Sequence, residues 1–470
     1  MIPDLSLLLP EITIVAVVAL LALVEIGLPA FSRRFAPPLN FAAVGVVALT
    51  LFRAIGRSGT AFDGMFVADS FALFFKFIFL ASAAFVLWMK GREENGAEFH
   101  LLLWSALLGM FFLVSSGNFI LLFISLELMT LSLYVLASYT QRELATIEAG
   151  LKYFVLGSLA SAFLLYGMSL VYASSGTLSF DDLKIAVQSQ RESWLFVAGV
   201  LLILSALGFK VASVPFQVWV PDVYQGAPTP VVAFLSVASK SAGFAALLRL
   251  FLQVWGPLDS ERRILFSLLA SLTLLYGNLG ALVQNDLKRL LGYSSIAHAG
   301  FLLIALAAGG EDGSASLLYY LIAYAASNLT AFMVVSLLEG EEKSHDLEVY
   351  RGLSVRSPLL AAALFLSLLS LAGVPPLAGF FSKFFILLQA ARSGLTGIVF
   401  LGAVNVAISL YYYLNVVRTL YLEKPGPRRQ ISVSFSSRVL LYGLMTSIVL
   451  VGLWQAPFLH FARAAAGSLF

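Results

Sequence analysis

The sequence predicts an all-α integral membrane protein with about fourteen transmembrane helices. Of its 470 residues, 60% are hydrophobic and 12% are charged, whereas about 25% of the residues in an average soluble protein are charged. The mean hydropathy is +0.92, and apolar runs of membrane-spanning length recur along the whole chain. These runs lack the two-residue alternation of an outer-membrane β-barrel, so helices are the predicted spanning elements.

The apolar runs are separated by charges and by Gly/Pro clusters. Their centres lie near residues 20, 47, 80, 106, 128, 160, 205, 240, 272, 300, 326, 408 and 446, with an interrupted run over residues 357–391. The first run lacks a basic segment before it and a small-residue cleavage site after it, so we interpret it as a permanent span and not as a signal peptide. The longest polar connections, residues 174–193, 339–357 and 422–437, are too short for a soluble domain.

Two of the runs are interrupted by a Val-Pro pair. Residues 213–220 read SVPFQVWV and residues 373–380 read GVPPLAGF. Proline breaks a helix, and the carbonyls it frees must face protein or water instead of lipid. Five spans separate one break from the next, and an odd number inverts the second unit, as in transporters built from inverted repeats. We therefore predict broken helices 7 and 12 and two inverted five-helix repeats, with a first half-helix over residues 216–223.

This symmetry divides the chain into four predicted segments. They are a three-helix segment over residues 1–95, a first repeat of helices 4–8 over residues 96–258, a second repeat of helices 9–13 over residues 259–422, and helix 14 within residues 423–470. Lys and Arg are more frequent in the odd-numbered loops than in the even-numbered loops. Arg249 is assigned to one of the even-numbered loops. The positive-inside rule then places both termini on the outer side of the membrane.

Ionisable residues inside the spans are the candidate functional residues, because buried charges in a bilayer are costly and are usually functional. Glu127 lies about ten residues into its span, near mid-membrane. A carboxylate there exchanges a proton according to whether a cation lies nearby. The alternative is a structural glutamate held by a neighbouring helix.

Three lysines share this placement. Lys210 precedes the first break, Lys240 lies at the centre of the next span, and Lys383 follows the second break. Lysine suits a proton relay because, unlike arginine, it can lose its proton when it is buried. The alternative, an ammonium that snorkels to the headgroups, is disfavoured at the midplane. The sequence therefore favours a relay through these lysines.

Four further residues leave more than one interpretation open. His298 lies about three turns inside its span and titrates near physiological pH, so it either passes protons or bonds to a helix carbonyl. Lys76 lies within two turns of Asp69 and is interpreted as a structural, snorkelling lysine, and Glu25 as structural at the end of the first span. Asp222 is expected to end the first half-helix and to cap it or support Lys210.

Several function classes are excluded by what the chain lacks. With no cysteine it has no disulfide, no thiolate-held iron–sulfur cluster and no cysteine nucleophile. Its net charge of +3 is small and dispersed, which argues against nucleic acid. The sequence has no GxGxxG, GxxxxGK[ST] or HExxH motif and so no signature for binding a nucleotide, a flavin or a redox metal. These patterns indicate a protein that moves charge.

Three long stretches carry a family resemblance: VPFQVWVPDVYQGAPTPVVAFLSVASKSAGFA (214–245), NDLKRLLGYSSIAHAGFLL (285–303) and SLAGVPPLAGFFSKFFIL (370–387). They resemble the antiporter-like membrane subunits of respiratory complex I, over nearly the whole chain. The resemblance implies fourteen helices and a proton path through Glu127, Lys210, Lys240 and Lys383. Two of the three branches of that family carry a histidine in the stretch after the turn at residues 226–230. This chain has no histidine there and so resembles the third branch.

The resemblance also implies an activity and partners. A subunit of this kind would translocate protons while partner subunits oxidise NADH and reduce quinone, with NAD, FMN, iron–sulfur clusters and quinone in those partners and no cofactor in this chain. Its expected partners are the other membrane and peripheral subunits, the lipid bilayer, protons and internal water. Two alternatives stay open: a subunit of a multisubunit cation/proton antiporter, and a non-conducting scaffold whose charges hold subunits together.

Overall fold

The chain is almost entirely helical in a computed structural model that describes residues 4–90, 97–140, 144–190, 192–342, 344–424 and 430–470, apart from the side chains of residues 29–34, 36, 97 and 257. Twelve helices of the described part are long and apolar enough to cross a membrane, and Glu98–Val114 and Pro358–Ala372 are shorter apolar helices. The all-α membrane class is thereby confirmed. The count of fourteen spans, the four segments and the inverted repeats stay predictions.

The chain forms two compact units. Unit 1 comprises Met1–Val211, Gly226–Ser260 and Ala464–Phe470, and unit 2 comprises Ala212–Gln225 and Glu261–Arg463. Among the candidate residues, Glu127, Lys210 and Lys240 belong to unit 1, whereas His298 and Lys383 belong to unit 2.

Unit 1 is built from long helices that pack side by side, with α4 against α5 and α6 against α8. A small antiparallel hairpin pairs β1 (Gly59–Ala61) with β2 (Phe66–Ala68). The helices of this unit are α1 (Leu9–Gly27), α2 (Pro29–Ala54), α3 (Ser70–Lys90), α4 (Ala97–Val114), α5 (Phe119–Ala137), α6 (Leu144–Ser175), α7 (Phe180–Gln190), α8 (Trp194–Val211), α10 (Thr229–Phe234) and α11 (Lys240–Leu248). Two π-helical segments, Leu235–Ser239 and Arg249–Val254, flank α11.

Unit 2 centres on α13 and α14, and α14 packs against α16, α17 and α19. Its helices, three of which run slightly beyond the unit, are α9 (Trp219–Gly226), α12 (Asp259–Ala281), α13 (Leu287–Ala308), α14 (Gly310–Glu342), α15 (Leu353–Arg356), α16 (Pro358–Ala372), α17 (Ala378–Arg392), α18 (Thr396–Tyr421), α19 (Phe435–Leu453) and α20 (Gln455–Gly467). Short 3-10 helices lie at Leu5–Leu8 and Gly256–Leu258 in unit 1 and at Leu347–Tyr350 in unit 2.

The first Val-Pro pair lies in the non-helical segment between α8 and α9. The predicted half-helix over residues 216–223 begins later, at Trp219, and ends at Gly226. Pro221 is its third residue, where no backbone N–H is needed inside the helix. The freed N–H of Val214 donates to the Thr273 hydroxyl at 3.0 Å, so a protein side chain satisfies it. The expectation that Asp222 ends this helix is wrong, because the carboxylate lies in its first turn.

The second Val-Pro pair separates α16 from α17. Gly373 ends α16 with a left-handed φ of 91°, which a glycine adopts without strain. A Cβ at Gly379 would overlap the carbonyl of Ser370, so the start of α17 lies directly against the end of α16. The Ser370 hydroxyl accepts from the Gly379 N–H at 3.1 Å. The two helices are therefore fixed together across the break.

One connection contains a helix, and one residue assigned to a connection lies elsewhere. The polar connection over residues 174–193 contains helix α7, which buries Phe180, Leu183 and Val187 on one face. Arg249, assigned to a loop, is buried in a π-helical turn. Several charges used for the orientation, at positions 92, 142, 191, 343, 428 and 429, lie outside the described residues, and the orientation stays a prediction.

Candidate functional site

Glu127 lies in the middle of α5, as predicted. The Asn118 side chain caps the start of this helix by accepting from the Leu121 N–H at 2.8 Å, so Asn118 sets where the helix begins. The Glu127 carboxylate accepts a hydrogen bond of 2.5 Å from the Ser161 hydroxyl on α6. Glu127 is half-buried. It therefore has a neutral partner on a neighbouring helix and keeps an acceptor oxygen for a second one.

Lys210 lies in the last turn of α8 and is 4% exposed. Its ammonium donates to the Thr130 hydroxyl at 2.7 Å and lies 5.6 Å from the centre of the Tyr134 ring. Thr130 follows Glu127 by three residues on α5, so the two side chains share a helix face. Glu127 lies close enough to Lys210 for their charges to interact. The structure thus brings the predicted partners Glu127 and Lys210 together.

Lys240 is 2% exposed and opens α11 directly after the π-helical segment Leu235–Ser239. All residues from 231 to 252 are buried. Three residues after Lys240, a Cβ at Gly243 would lie 2.8 Å from Val211 Cγ1 and 3.2 Å from Lys210 Cβ. The missing side chain of Gly243 therefore lets the helix that carries Lys240 approach the helix that carries Lys210. π-Helical segments inside α-helices often occur at functional sites.

Lys383 is 4% exposed and lies on α17 after the second break. Its ammonium donates to the carbonyls of Leu371 at 2.8 Å and Ala372 at 2.9 Å, the last two residues of α16. Carbonyls at a helix C-terminus lack a partner within the helix and carry partial negative charge. The break thus creates the acceptor site that Lys383 occupies. The centre of the Phe301 ring lies 5.1 Å from the ammonium of Lys383.

His298 is buried near the middle of α13. Both of its ring nitrogens contact tyrosine hydroxyls, which neither interpretation of the sequence specified. Nδ1 lies 2.6 Å from the Tyr320 hydroxyl and Nε2 lies 3.3 Å from the Tyr413 hydroxyl. The preceding Ser295 accepts from Tyr324 at 3.1 Å and contacts the Tyr224 hydroxyl at the same distance. A set of buried hydroxyl groups therefore surrounds the imidazole.

The interpretation of Lys76 as a snorkelling lysine is wrong. Lys76 is buried, and its Nζ lies 2.6 Å from the carboxylate of Glu11, which is also buried. Asp69, the expected neighbour, instead accepts from Arg249 at 3.0 Å. The sequence reasoning missed Glu11 because it lies in the first turn of α1 and resembles a polar helix end. Its place beside Pro10, within an apolar run, was the signal available.

Other pairings differ in outcome. Glu148 and Lys152 are four residues apart, a spacing that predicts an ion pair on a helix, and this prediction is confirmed by a distance of 2.7 Å on α6. Asp222, expected to cap its helix or support Lys210, forms an ion pair of 2.6 Å with Arg289 on α13. Glu25 lies two residues before the end of α1, as expected. Thr130, Ser161, Tyr320 and Tyr413 were missed, because nothing in the sequence distinguishes a hydroxyl that bonds to an ionisable group from one that bonds to its own helix.

A family described as "NADH:quinone oxidoreductase/Mrp antiporter, TM" matches residues 116–409. The NADH-quinone oxidoreductase subunit N of Desulforamulus reducens is 37% identical over 447 residues, 94% of this chain and 93% of that protein. A chain of respiratory complex I from Thermus thermophilus with bound aureothin matches with a TM-score of 0.84 at 35% identity, over 96% of this chain and 99% of that one.

A chain of the Mrp complex from a Dietzia species matches with a TM-score of 0.89, over 99% of this chain and 98% of that one, at 20% identity. At this identity the likeness shows a shared fold alone.

Proposed function

The chain belongs to the NADH:quinone oxidoreductase/Mrp antiporter transmembrane family, and we propose that it translocates protons as a membrane-arm subunit of a NADH-quinone oxidoreductase. The carriers in this proposal are Glu127, Lys210, Lys240, His298 and Lys383. It is a multi-pass subunit of the cell inner membrane with both termini on the outer side. NAD, FMN, iron–sulfur clusters and quinone belong to its partner subunits, and this chain has no cysteine to hold such a cluster.

The burial of three lysines in apolar helices is the observation that carries this proposal. Lys210, Lys240 and Lys383 are each less than 5% exposed. An ionised lysine at the centre of a membrane helix costs about 2.5–3.5 kcal/mol on insertion scales. A structural role alone does not require this residue type three times, because a neutral polar side chain serves it without that cost. A group that must accept and release a proton does require an ionisable side chain.

The free energies of the interactions of Lys210 are similar to the work needed to move a proton across the membrane. Moving one charge against 100 mV takes about 2.3 kcal/mol. A hydrogen bond to a charged group contributes about 1.5–3 kcal/mol, and Lys210 makes one such bond to Thr130. Separating Lys210 from Thr130 and Glu127 would therefore change the free energy with which Lys210 binds its proton. This change is comparable to the work of moving one charge across the membrane. In the proposed mechanism, quinone reduction in the partner subunits drives that separation.

The test measures proton-to-electron ratio in membrane vesicles that contain the assembled complex. Lys210→Ala, Lys240→Ala and Lys383→Ala are each expected to lower this ratio. Lys152→Ala is the matched control, because Lys152 is a helical lysine that is partly exposed beside Glu148, and its ratio should equal that of the unaltered complex. If all three buried variants assemble and pump normally, the chain is a scaffold and the proposal fails.

A cation/proton antiporter subunit is the second candidate, supported by the fold shared with the Mrp complex. The two functions differ in the transported ion. Proton movement that requires sodium and is accompanied by sodium counterflow would favour the antiporter. Proton movement that tracks NADH oxidation in sodium-free vesicles would favour the oxidoreductase subunit, which is the result we expect.

A further inference from the structure

Both ring nitrogens of His298 contact a tyrosine hydroxyl, and the contacts continue beyond the ring. Nδ1 lies 2.6 Å from Tyr320 Oη, Nε2 lies 3.3 Å from Tyr413 Oη, and Tyr413 Oη lies 2.5 Å from Ser294 Oγ. Ser294 and His298 are four residues apart on α13 and share a helix face. Four polar groups therefore form one continuous chain, from Ser294 through Tyr413 and His298 to Tyr320.

All four members of this chain are buried within unit 2. A neutral imidazole has one N–H donor and one bare acceptor nitrogen, and a hydroxyl is both donor and acceptor. Each member can thus receive a proton on one side and release one on the other without remaining charged. A chain of amide or backbone groups would satisfy the same buried atoms but would not pass a proton in this way.

We propose that Tyr413 and Tyr320 are proton-carrying residues that deliver protons to His298 and receive them from it, an inference that rests on the proposed function. Starting with the proton of the neutral ring on Nδ1, Tyr413 passes its hydroxyl proton to Nε2 and regains one through Ser294. The Nδ1 proton moves to the Tyr320 hydroxyl, which releases its own proton onward. One proton enters and one leaves. The ring is left with its proton on Nε2. A half-turn of the ring about Cβ–Cγ then brings this N–H to the Tyr320 side and the bare Nδ1 to the Tyr413 side, so the next proton moves in the same direction.

The Tyr320 end of the chain lies close to another predicted carrier. The Phe301 ring stacks on Tyr320 with centroids 6.3 Å apart and an interplanar angle of 23°. The same Phe301 ring lies 5.1 Å from the ammonium of Lys383. A single aromatic residue thus contacts both groups. Tyr320 and Lys383 are therefore linked through one aromatic side chain within unit 2.

A purely structural role for the tyrosines makes a different prediction from proton transfer. Tyr413 lies on α18 and Tyr320 on α14, so their hydroxyls also tie these helices to α13. Removing any buried tyrosine hydroxyl loses a tie of this kind. Tyr319 provides the matched control, because it neighbours Tyr320, is buried, and donates to the Val451 carbonyl at 2.7 Å. Its bond ties α14 to α19 and takes no part in the chain.

The experiment measures proton-to-electron ratio and assembly in vesicles that carry the complex with Tyr413→Phe, Tyr320→Phe, Tyr319→Phe or Lys210→Ala. We expect Tyr413→Phe and Tyr320→Phe to lower the ratio as far as Lys210→Ala does, and Tyr319→Phe to leave it unchanged. Normal ratios in both test variants would overturn the inference. A lowered ratio in Tyr319→Phe equal to that of the test variants would overturn it too, since a structural tie would then explain all three.

Three other outcomes of this experiment are also decisive. If Tyr413→Phe does not assemble, Tyr320→Phe alone decides, because it interrupts the chain at the other ring nitrogen. If Lys210→Ala pumps normally, the proposed role of Lys210 is wrong. The tyrosine variants still test proton transfer through Tyr413, His298 and Tyr320. If Lys210→Ala stops pumping while both tyrosine variants pump normally, only the present inference fails.

Discussion

Lys210 Nζ lies 2.7 Å from Thr130 Oγ1, a hydroxyl one helical turn beyond Glu127 on α5. The Thr130 hydroxyl lies 2.5 Å from the Leu126 carbonyl and donates its proton there. Its lone pairs are therefore directed to the lysine, as suits a protonated ammonium. Glu127 is meanwhile bonded to Ser161. Each member of the first carboxylate–lysine pair of the proposed relay is thus bonded to a neutral hydroxyl of its own.

Thr130→Val tests this arrangement, because valine keeps the shape of threonine and removes the hydroxyl. We expect the ammonium of Lys210 to lose about 1.5–3 kcal/mol of stabilisation, which corresponds to roughly a tenfold or larger change in its protonation equilibrium. The initial rate of NADH-driven proton uptake in vesicles at neutral pH should fall accordingly, with assembly retained. Thr130→Ser keeps the hydroxyl and should pump at the unaltered rate. Equal rates for Val and Ser would contradict the role of the hydroxyl.

Substitution of Lys383 separates its structural role from its proposed proton-carrying role. Lys383→Ala leaves the carbonyls of Leu371 and Ala372 without their donor, and each unpaired buried group costs about 1–3 kcal/mol. Lys383→Arg supplies a donor and a positive charge but does not release a proton. We expect the alanine variant to lower both pumping and the thermal denaturation midpoint. The arginine variant should lower pumping and keep more of the stability. Normal pumping by Lys383→Arg would contradict proton transfer through this residue.

The sequence predicts the helical class, the position of the carriers and one local ion pair. These features depend on composition and on spacing along a single helix, as for Glu148 and Lys152 at i,i+4. The start of the first half-helix was predicted three residues too early. Propensity does not decide this boundary, because Phe216 donates its N–H to Ser213 at 2.7 Å in a turn before the helix begins.

Partners distant in sequence could not be predicted. Lys76 and Glu11 are 65 positions apart, and Arg249 reaches Asp69 across 180 positions. In each case the sequence placed the basic residue at a surface, Lys76 because its ammonium could snorkel to the headgroups and Arg249 because it was assigned to a loop. Pairing removes that need. Knowledge of which helices pack together is required to identify it, and a single sequence does not contain a direct signal for it.

The ion pair of Glu11 and Lys76 predicts a non-additive effect on stability. Both side chains are buried and their charged atoms lie 2.6 Å apart. Lys76→Met leaves a buried carboxylate without its cation, which costs about 3–5 kcal/mol. We expect this variant to reduce the amount of the subunit in membranes and its thermal denaturation midpoint. Glu11→Gln combined with Lys76→Met removes both charges and should recover most of the loss.

Pumping by the recovered double variant distinguishes a structural pair from a functional one. We expect the proton-to-electron ratio to be normal, because the ammonium of Lys76 pairs with Glu11 whereas that of Lys210 donates to Thr130. A low ratio in a fully assembled double variant would place Glu11 and Lys76 in the relay. Additive losses of stability in the two single variants and the double variant would instead show that the two side chains do not interact.

We expect assembly of the subunit to depend on the planar shape of the Arg249 guanidinium and not only on its charge. Arg249 lies nine residues after Lys240, and its Nη2 donates to the Asp69 carboxylate at 3.0 Å and to the Val114 carbonyl at 2.8 Å. It thereby joins the end of α11 to the start of α3 and the end of α4. A lysine has a single ammonium and lacks this planar fork. We therefore expect Arg249→Lys to assemble less well than the unaltered subunit although the charge is unchanged.

Asp69→Asn isolates the charge of this pair, because asparagine also caps a helix well and can accept the bond of 2.7 Å that the Ala72 N–H donates to this side chain. The variant leaves the buried Arg249 cation without its anion, which costs about 3–5 kcal/mol. We expect less assembled complex in membranes, and partial recovery in Asp69→Asn combined with Arg249→Gln. Asp69→Asn that assembles normally would show that the cap, and not the ion pair, is what α3 requires. Because Arg249 lies in the same apolar span as Lys240, residues Thr229–Val254, assembled complex with Arg249→Lys should also show a lower proton-to-electron ratio, which a loss confined to assembly would not produce.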